Sequence, residues 1–447
     1  GFGERSTYGL YAFGAILSYY LIASYLQLFM TDIGISAAAV GMIFIFAKIW
    51  DAVNDPLFGI IVDKAKFKKG KFIPWLRLAS MAIPVSTILL FIIPSGASAQ
   101  MKIIWSTVAY ILWDTAYTMY DVPMNAIVLS MTKKQNERQK LYVTASFFVY
   151  LGALVIAIAV PMLYPSIGWG PTGIIIGLTC LLGMLPLPFK AKERYHAVEQ
   201  KEANVKEILT ALIKNKYLLI FTAASIIGSL TNFQISINGY FAIHNLGNES
   251  WLTPLALVSA VPVLFVAPIV PKLCTKFEKF NVYIITRIIS LVVDAAIFLL
   301  GYENIGSFFA LLIVKNIFTA VFSLSAIMFI ADCVEYGHFT SGKRAEGVSF
   351  SLKAFTNKII IALTGSIAMF LLAALGFVEG SGAVQSPETV KGIWYLYSIG
   401  PMIGSVISTL ILICTYRLRD KDVDIMTKAN NGEITHNEAK ILLSGKY

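Results

Sequence analysis

The sequence contains little charge and little cysteine. Only 14% of its 447 residues are Asp, Glu, Lys or Arg, whereas about a quarter of a soluble globular domain is charged. Its four cysteines (Cys180, Cys274, Cys333 and Cys414) stand alone, without the C-x-x-C spacing of a metal or redox site. The low charge argues against a soluble protein, and we interpret the cysteines as small core residues.

The sequence also lacks the motifs of several enzyme classes. It has no G-x-x-x-x-G-K-[ST] loop to hold phosphates, so it carries no ATPase module of its own. It has neither a metal-ligand cluster nor the G-x-S-x-G turn that presents a catalytic serine. We therefore predict no catalytic residue and no cofactor, and we do not expect an enzyme.

Long apolar runs are what the sequence does have. Hydrophobic residues make up 57% of the chain, and runs long enough to cross a bilayer recur from Tyr8 to Tyr416. At roughly 20 residues per span, they predict an all-α membrane protein of about twelve transmembrane helices. We expect two six-helix bundles around a central cavity, at 1–189 and 217–416, with the seventh span at 217–245. A cytoplasmic linker at 190–216 and a cytoplasmic tail at 417–447 complete the predicted organisation.

Basic residues concentrate in alternate loops between the predicted spans. The loops after spans two and four are the clearest cases. Because basic loops stay on the cytoplasmic side, both termini are predicted to be cytoplasmic and the protein to be a multi-pass protein of the cell membrane. The formal charge of +10 is explained by these loops, so it does not indicate a nucleic-acid partner. The loop residues are Lys64, Lys66, Lys68, Lys69 and Lys71, then Lys133, Lys134, Arg138 and Lys140.

Two aspartates lie inside the second predicted span. Asp51 and Asp55 are four residues apart, so they share a helix face, and Asn54 is adjacent. An ionised carboxylate at the centre of a membrane helix costs roughly 2.5 kcal/mol or more. Three oxygen-bearing side chains on one face instead suit a small cation or a shared proton.

The fourth predicted span carries a second polar stripe. Asp114, Tyr117, Thr118, Asp121 and Asn125 recur at helical spacing within it. If both spans face one cavity, four carboxylates meet there, and they cannot all ionise without a cation or a shared proton. For a single acid, a hydrogen bond to a neighbouring group remains the simpler explanation.

The second half supplies possible counter-charges. Lys358, in the eleventh span, is deep enough to pair with a carboxylate across the cavity, whereas Asp294 and Lys315 are expected to pair with each other. A few aromatic residues near the polar stripes could stack on a sugar ring, although packing between helices is the simpler explanation for each of them. These residues are Tyr19, Tyr20, Trp113, Tyr117, Tyr120, Phe233 and Tyr240.

Several motifs together resemble one family of transporters. They are Lys48–Gly59, Gly70–Trp75, Tyr117–Pro123 and Ala331–Gly337, followed by Gly342–Gly347, and they fall in the expected order along nearly the whole chain. On these motifs the chain is similar to the glycoside–pentoside–hexuronide:cation symporter family, within the major facilitator superfamily. The resemblance implies a major facilitator fold and a sugar as substrate.

The resemblance also implies roles for particular residues. It assigns a cation site, binding Na⁺ if that is the coupling ion, to Asp51, Asn54 and Asp55 with Thr118. The implied sugar contacts are Tyr117 and Asp121, and to these we add Asn125 and, from the lysine near the cation site, Lys358. The loop after span two resembles the superfamily's gating loop, at the residues Gly59, Asp63, Gly70 and Lys71.

Three positions depart from the family's pattern. Where a galactoside carrier of the family has a Lys-Asp pair in helix one, this chain has Ala15 and Ile16. Asn125 replaces a tryptophan, and Ser146 replaces an arginine that pairs with sugar-binding carboxylates. The cation residues are thus kept, while much of the sugar site has changed.

The sequence therefore predicts a secondary active transporter that moves a sugar or glycoside with a cation by alternating access. The coupling cation is Na⁺ or H⁺, with Li⁺ possible, and the expected partners are the sugar and the lipid bilayer. Two alternatives stay open at this point, an uncoupled sugar facilitator and a transporter-like sugar sensor. The sequence does not fix the sugar or the oligomeric state, for which we favour a monomer.

Overall fold

The structure is a computed structural model that describes most of the chain. Most of the predicted linker, 190–216, and parts of three basic loops lie outside the described residues. The side chains of Asp63 and Asn125 also lie outside the description, although both residues belong to described helices. The described residues are 2–65, 67, 70–94, 96–132, 134–195, 213, 215–342 and 346–446.

Every regular element in the described residues is a helix, as the predicted fold class requires. The first half contains α1 (Phe2–Asp32), α2 (Ala37–Lys64), α3 (Ile73–Phe91), α4 (Ala99–Met131), α5 (Gln135–Ile167), α6 (Trp169–Met184) and the short α7 (Leu187–Lys190). The second half contains α8 (Lys216–Leu230), α9 (Gln234–Tyr240), α10 (Leu252–Val266), α11 (Val270–Phe277), α12 (Lys279–Leu300), α13 (Ile305–Ser341), α14 (Glu346–Ala374) and α15 (Pro387–Thr415). Two short helices, α16 (Asp420–Asn430) and α17 (His436–Leu442), form the tail.

The long helices have the length and composition of membrane spans. Among the described residues, eleven helical stretches are long and apolar enough to cross a bilayer. The helix α4 is not one of them, although it is 33 residues long, because it carries the polar stripe that includes Asp114 and Asp121. With α4 counted by its length, the helices agree with the twelve predicted spans.

Side chains at the helix starts account for several of the observed boundaries. Ser36 precedes α2 and accepts a hydrogen bond from the amide of Ala39, and Ser98 caps α4 through Met101 in the same way. Asn304 caps α13 through the amide of Ser307. Such caps satisfy amides that have no partner inside the helix, so short polar residues set where these spans begin.

The helices group into two compact units. The first unit comprises Gly1–Gln200, Asn238–Pro254 and Gly365–Gly392, and the second comprises Lys201–Ile237, Leu255–Thr364 and Ile393–Tyr447. In the first unit, buried side chains of α1, α3 and α4 form the main core, with Tyr11 and Leu76 fully buried. The sequence-based division at 189, 216 and 416 stays a prediction.

The seventh predicted span is interrupted, where a continuous helix was expected over 217–245. The helix α8 ends at Leu230, and α9 begins at Gln234 and continues as a π-helical turn, Phe241–Asn245. At the break, the Thr231 hydroxyl accepts a hydrogen bond from the Gly404 amide of α15. The apolar pattern of 217–245 gives no sign of this contact with a distant helix, so the sequence predicted a continuous span.

The tail folds into two short helices, α16 and α17, and one face of the pair is buried. Val423 and Met426 of α16, and Ala439 of α17, join the core of the second unit. The amide of Asn430 donates hydrogen bonds to the backbone oxygen and the carboxylate of Glu335 on α13. The tail is therefore packed against the second unit rather than solvated on all sides.

Candidate functional site

Three of the four predicted cation ligands meet in the first unit. The Asn54 amide Nδ2 on α2 donates a hydrogen bond of 2.8 Å to the Thr118 hydroxyl on α4. That hydroxyl donates in turn to Asp55 Oδ1 over 3.0 Å. Asn54 and Thr118 are 8% and 4% exposed, so these polar groups face each other in a largely buried contact between two helices.

Asp51, the fourth predicted ligand, lies on the same helix and forms an ion pair with Lys48. The Lys48 ammonium nitrogen lies 3.5 Å from Asp51 Oδ2 and 3.9 Å from Asp114 Oδ1. The sequence prediction did not give Lys48 a role, although its position three residues before Asp51 was a usable signal. Its second partner lies on another helix, which spacing along the chain does not show.

The arrangement is rich in oxygen but is not a cage of acids. The described residues contain no group of three or more His, Cys, Asp or Glu side chains placed to hold a metal ion. A cation there would need the amide of Asn54 and the hydroxyl of Thr118 as well as carboxylates, a mixed oxygen set that suits a hard cation. The same carboxylates can equally accept a proton.

An aromatic wall continues along α4 from this polar contact. The Tyr117 ring lies 5.1 Å from the rings of both Trp113 and Tyr120, and 5.4 Å from that of Tyr19 on α1. Trp113 also donates through its indole nitrogen to the Ser18 hydroxyl over 2.7 Å. Packing between helices, the simpler of the two sequence interpretations, therefore accounts for Trp113, while Tyr117 stays half-buried.

The predicted sugar contacts are distributed over both units. Tyr117 and Asp121 lie one turn apart on α4 in the first unit, and Asp121 is half-buried. Lys358 lies on α14 in the second unit, where its side chain is exposed. The side chain of Asn125 is not among the side chains that the structure describes. The sugar site stays a prediction.

The predicted gating loop is held by a residue that sequence reasoning missed. The Glu193 carboxylate, which follows α7, accepts hydrogen bonds of 2.8 Å each from the amides of Lys71, Phe72 and Ile73. Gly70 has a φ of +104°, and a Cβ on it would lie 2.5 Å from Glu193 Oε1. The loop therefore needs glycine at this position. Glu193 sits at the positive start of α3, where a carboxylate is favourable.

Asp294 and Lys315 form the buried ion pair that the sequence predicted for the second half. Lys315 Nζ lies 2.7 Å from Asp294 Oδ1, and the two side chains are 6% and 9% exposed. The ammonium also donates to Gln234 Oε1 over 3.1 Å. This pairing is confirmed, and it accounts for two charges that would otherwise suggest a second ion site.

Comparison with known proteins agrees with the helical arrangement. The model of the family described as MFS/sugar transport protein matches residues 7–420. The chain is 28% identical to the isoprimeverose transporter of Lactiplantibacillus pentosus, over 92% of this chain and 88% of that protein. It is also 28% identical to a putative glycoside/cation symporter, YagG, of Escherichia coli (strain K12), over 90% and 89% of the two chains.

A solved structure supports the fold alone. The chain superposes with a TM-score of 0.67 on a bacterial homologue of the iron transporter ferroportin in an inward-facing state. The overlap covers 93% of this chain and 98% of that one, at 12% sequence identity. At such low identity the match extends to the fold and not to the cargo.

Proposed function

The chain belongs to the MFS/sugar transport protein family, and on that premise we propose that it carries a sugar or glycoside across the cell membrane together with a cation. It is a multi-pass membrane protein with the major facilitator fold, as the sequence predicted. Two of its relatives are named as a glycoside/cation symporter and an isoprimeverose transporter. Because the relatives are transporters, a transport role is favoured over an enzymatic one.

The observation that carries the proposal is the contact of α2 with α4. Asn54, Thr118 and Asp55 are joined by hydrogen bonds of 2.8 and 3.0 Å, with Asp51 one turn away on α2. A network of oxygen atoms and acids inside membrane helices costs stability, so it is a functional site by default. We assign cation binding to these four residues, with Na⁺ or H⁺ as the coupling ion and Li⁺ as a further candidate.

Coupling follows from the charge of this contact. Without a cation, Lys48 partly neutralises Asp51 and Asp114 across 3.5 and 3.9 Å. Asp55 accepts a hydrogen bond from the neutral Thr118 hydroxyl. A monovalent cation that binds Asp55 and Asp51 makes the net charge of this contact less negative by one before the site closes. If that state also favours sugar binding, each ligand raises the affinity for the other by the same factor.

Transport then proceeds by rocking of two bundles around a central site. We propose that the termini are cytoplasmic, that the bundles divide near 189 and 217, and that Tyr117, Asp121, Asn125 and Lys358 contact the sugar. The loop with Gly59, Asp63, Gly70 and Lys71 takes the gating role. The Glu193 hydrogen bonds support that assignment, because they tie the loop to the start of α3.

Uptake into proteoliposomes tests the proposal. A panel of labelled glycosides is supplied with a Na⁺ gradient, a proton gradient or no gradient. Accumulation above equilibrium with one gradient supports symport. Equal uptake of a transported sugar under all conditions would leave an uncoupled facilitator. Binding of a sugar without any uptake would instead indicate the sensor alternative.

Two substitutions connect the coupling to the site. We expect Asp51→Asn and Asp55→Asn to abolish gradient-driven accumulation while sugar exchange continues slowly, because the amide cannot balance a cation. Asp424→Asn is the matched control, since Asp424 pairs with Lys428 in the exposed tail. Full accumulation by both site variants would show that these acids serve structure only.

A further inference from the structure

Asp114 is a buried acid to which the proposed function assigns neither a cation nor a sugar contact. It lies on α4 one turn before Thr118, and its side chain is 6% exposed. An ionised carboxylate inside a membrane helix is costly, and residues of this kind pair with other groups and mark functional sites. The position of Asp114 beside the assigned cation ligands therefore calls for a role.

Hydrogen bonds between α2 and α4 fix the two helices against each other at this point. The indole nitrogen of Trp50 on α2 donates to the Thr115 hydroxyl on α4 over 2.8 Å. A second bond between the same helices starts from Asn54, one turn later on α2. Asp114 directly precedes Thr115 in the chain. The resulting register brings the Lys48 ammonium to 3.9 Å from Asp114 Oδ1.

Lys48 has two acids within reach, and only one of them is an assigned cation ligand. Its nitrogen lies 3.5 Å from Asp51 Oδ2 on its own helix and 3.9 Å from Asp114 Oδ1 on the neighbouring one. Both distances exceed the 2.7–2.9 Å of a short charge-assisted hydrogen bond, as is typical for about one such bond at a time. Because the lysine stem is flexible, a small movement of the ammonium is enough to favour either carboxylate.

An ammonium close to Asp51 competes with the coupling cation. Both are positively charged, and both are attracted to the same carboxylate oxygens. An ammonium that leaves Asp51 without finding another acid would be a charge without a partner inside a membrane helix, which is unfavourable. Asp114 offers it a second carboxylate, so the ammonium can give up Asp51 at a lower cost.

We propose that Asp114 is a positioning residue for cation coupling, because it receives the Lys48 ammonium when the coupling cation binds Asp51. Asp114 acts on the cation through Lys48 and not by contact with it. It thereby sets the concentration at which the cation displaces the ammonium. The inference rests on the proposed function, which it deepens by adding an exchange of ion-pair partners to the cation site.

Cation titration of sugar uptake provides the first test. The uptake panel identifies a transported sugar and its coupling cation, and uptake by proteoliposomes of the full chain is then measured over a range of that cation. We expect Asp114→Asn to raise the half-maximal cation concentration at least about threefold, because the ammonium then stays with Asp51. Asp114→Glu, which keeps a carboxylate, should return that concentration to within about twofold of wild type.

The maximal rate separates positioning from packing. At saturating cation, Asp114→Asn should transport within about twofold of the wild-type rate, since only the displacement of the ammonium has changed. If Asp114 served packing alone, the variant would lose maximal rate or folded protein at an unchanged half-maximal concentration. That result overturns the inference.

Asp332→Asn is the matched control. Lys279, in the second unit, also has two carboxylate partners, Asp332 and Asp420. The control therefore removes the same group from a lysine outside the assigned cation site, and the half-maximal concentration should stay within about twofold of wild type. If Asp114→Asn gives the same value as this control, the inference is overturned while symport stands. If no cation gradient drives accumulation of any sugar, the proposed function itself fails.

A double-mutant cycle shows whether Asp114 acts through Lys48. A direct contact of Asp114 with the cation would raise the half-maximal concentration by the same factor with or without the lysine. We expect instead that the factor for Asp114→Asn is at least about threefold smaller in the Lys48→Gln background. Equal factors in the two backgrounds overturn the inference and make Asp114 a cation ligand.

The unfolding temperature of each variant decides which comparison is used. If Lys48→Gln alone is unfolded, the double variant Lys48→Gln/Asp114→Asn is compared with Asp114→Asn. Loss of the competing ammonium should then lower the half-maximal concentration at least about threefold. An unchanged or higher concentration overturns the inference. If the double variant is unfolded as well, the titration of Asp114→Asn against its control decides alone.

Discussion

Removing the positive charge of Lys48 should lower the stability of the protein. Neutralising one of its two carboxylate partners as well should recover part of that stability. Lys48 lies 3.5 Å from Asp51 and 3.9 Å from Asp114, and the three side chains are 26%, 13% and 6% exposed. At an effective dielectric constant of about 20, the two attractions are about 5 and 4 kcal/mol before the cost of desolvation. Both carboxylates are within 4 Å of one nitrogen, so they repel each other by at least about 2 kcal/mol.

The net effect of Lys48→Gln is smaller than these gross attractions. Breaking a fully buried pair costs about 3–5 kcal/mol, and the partial exposure of Lys48 reduces that cost. We therefore expect a loss of about 2–3 kcal/mol in the free energy of unfolding. The double variant Lys48→Gln/Asp114→Asn should recover at least half of the lost free energy of unfolding. In that variant Asp51 no longer faces a second carboxylate without a cation between them.

Denaturant unfolding in mixed micelles, followed by tryptophan fluorescence, measures these differences. Lys428→Gln is the control, since Lys428 pairs with Asp424 at 2.8 Å but both side chains are about half exposed or more. It should unfold like wild type, because exposed pairs contribute little. The reasoning is refuted if Lys48→Gln is as stable as wild type, or if adding Asp114→Asn destabilises it further.

Two other substitutions test the remaining contacts. Thr118→Val should raise the cation concentration for half-maximal uptake by about two- to tenfold, because it removes both hydrogen bonds that join the hydroxyl to Asn54 and Asp55. Thr115→Val, one turn earlier, should leave that concentration unchanged, and an equal effect of both would argue against a role for the hydroxyl in the site. Glu193→Gln should speed hydrogen exchange of the amides at 71–73 about two- to fivefold, since it removes a negative charge from a helix start. Unchanged exchange there would mean that the carboxylate charge contributes nothing to the loop.

Patterns of burial made the membrane fold predictable. Acids at four-residue spacing within an apolar run led to the prediction of a cation site on α2, and three of its four predicted residues do meet. The pairing of Asp294 with Lys315 followed from the same principle, because a buried charge needs a partner. Such inferences are possible because few charged side chains are tolerated in the apolar part of a bilayer without a partner.

Contacts between distant segments were not predictable in this way. Spacing gives no sign that Lys48 meets Asp114, or that Glu193 reaches back to the loop before α3. The break after Leu230 was also missed, and the next residue, Thr231, contacts Gly404, which lies far along the chain.

The polar composition of α4 has a consequence for how the protein enters the membrane during synthesis. Asp114 and Asp121 each add about 2.5–3.5 kcal/mol to the insertion of a helix at its centre. The helix α2 is made earlier and carries Lys48 and Asn54, which contact Asp114 and Thr118. We therefore expect α4 to leave the translocon only when α2 is beside it. The residues to which we assign cation binding would then also guide the assembly of the first unit.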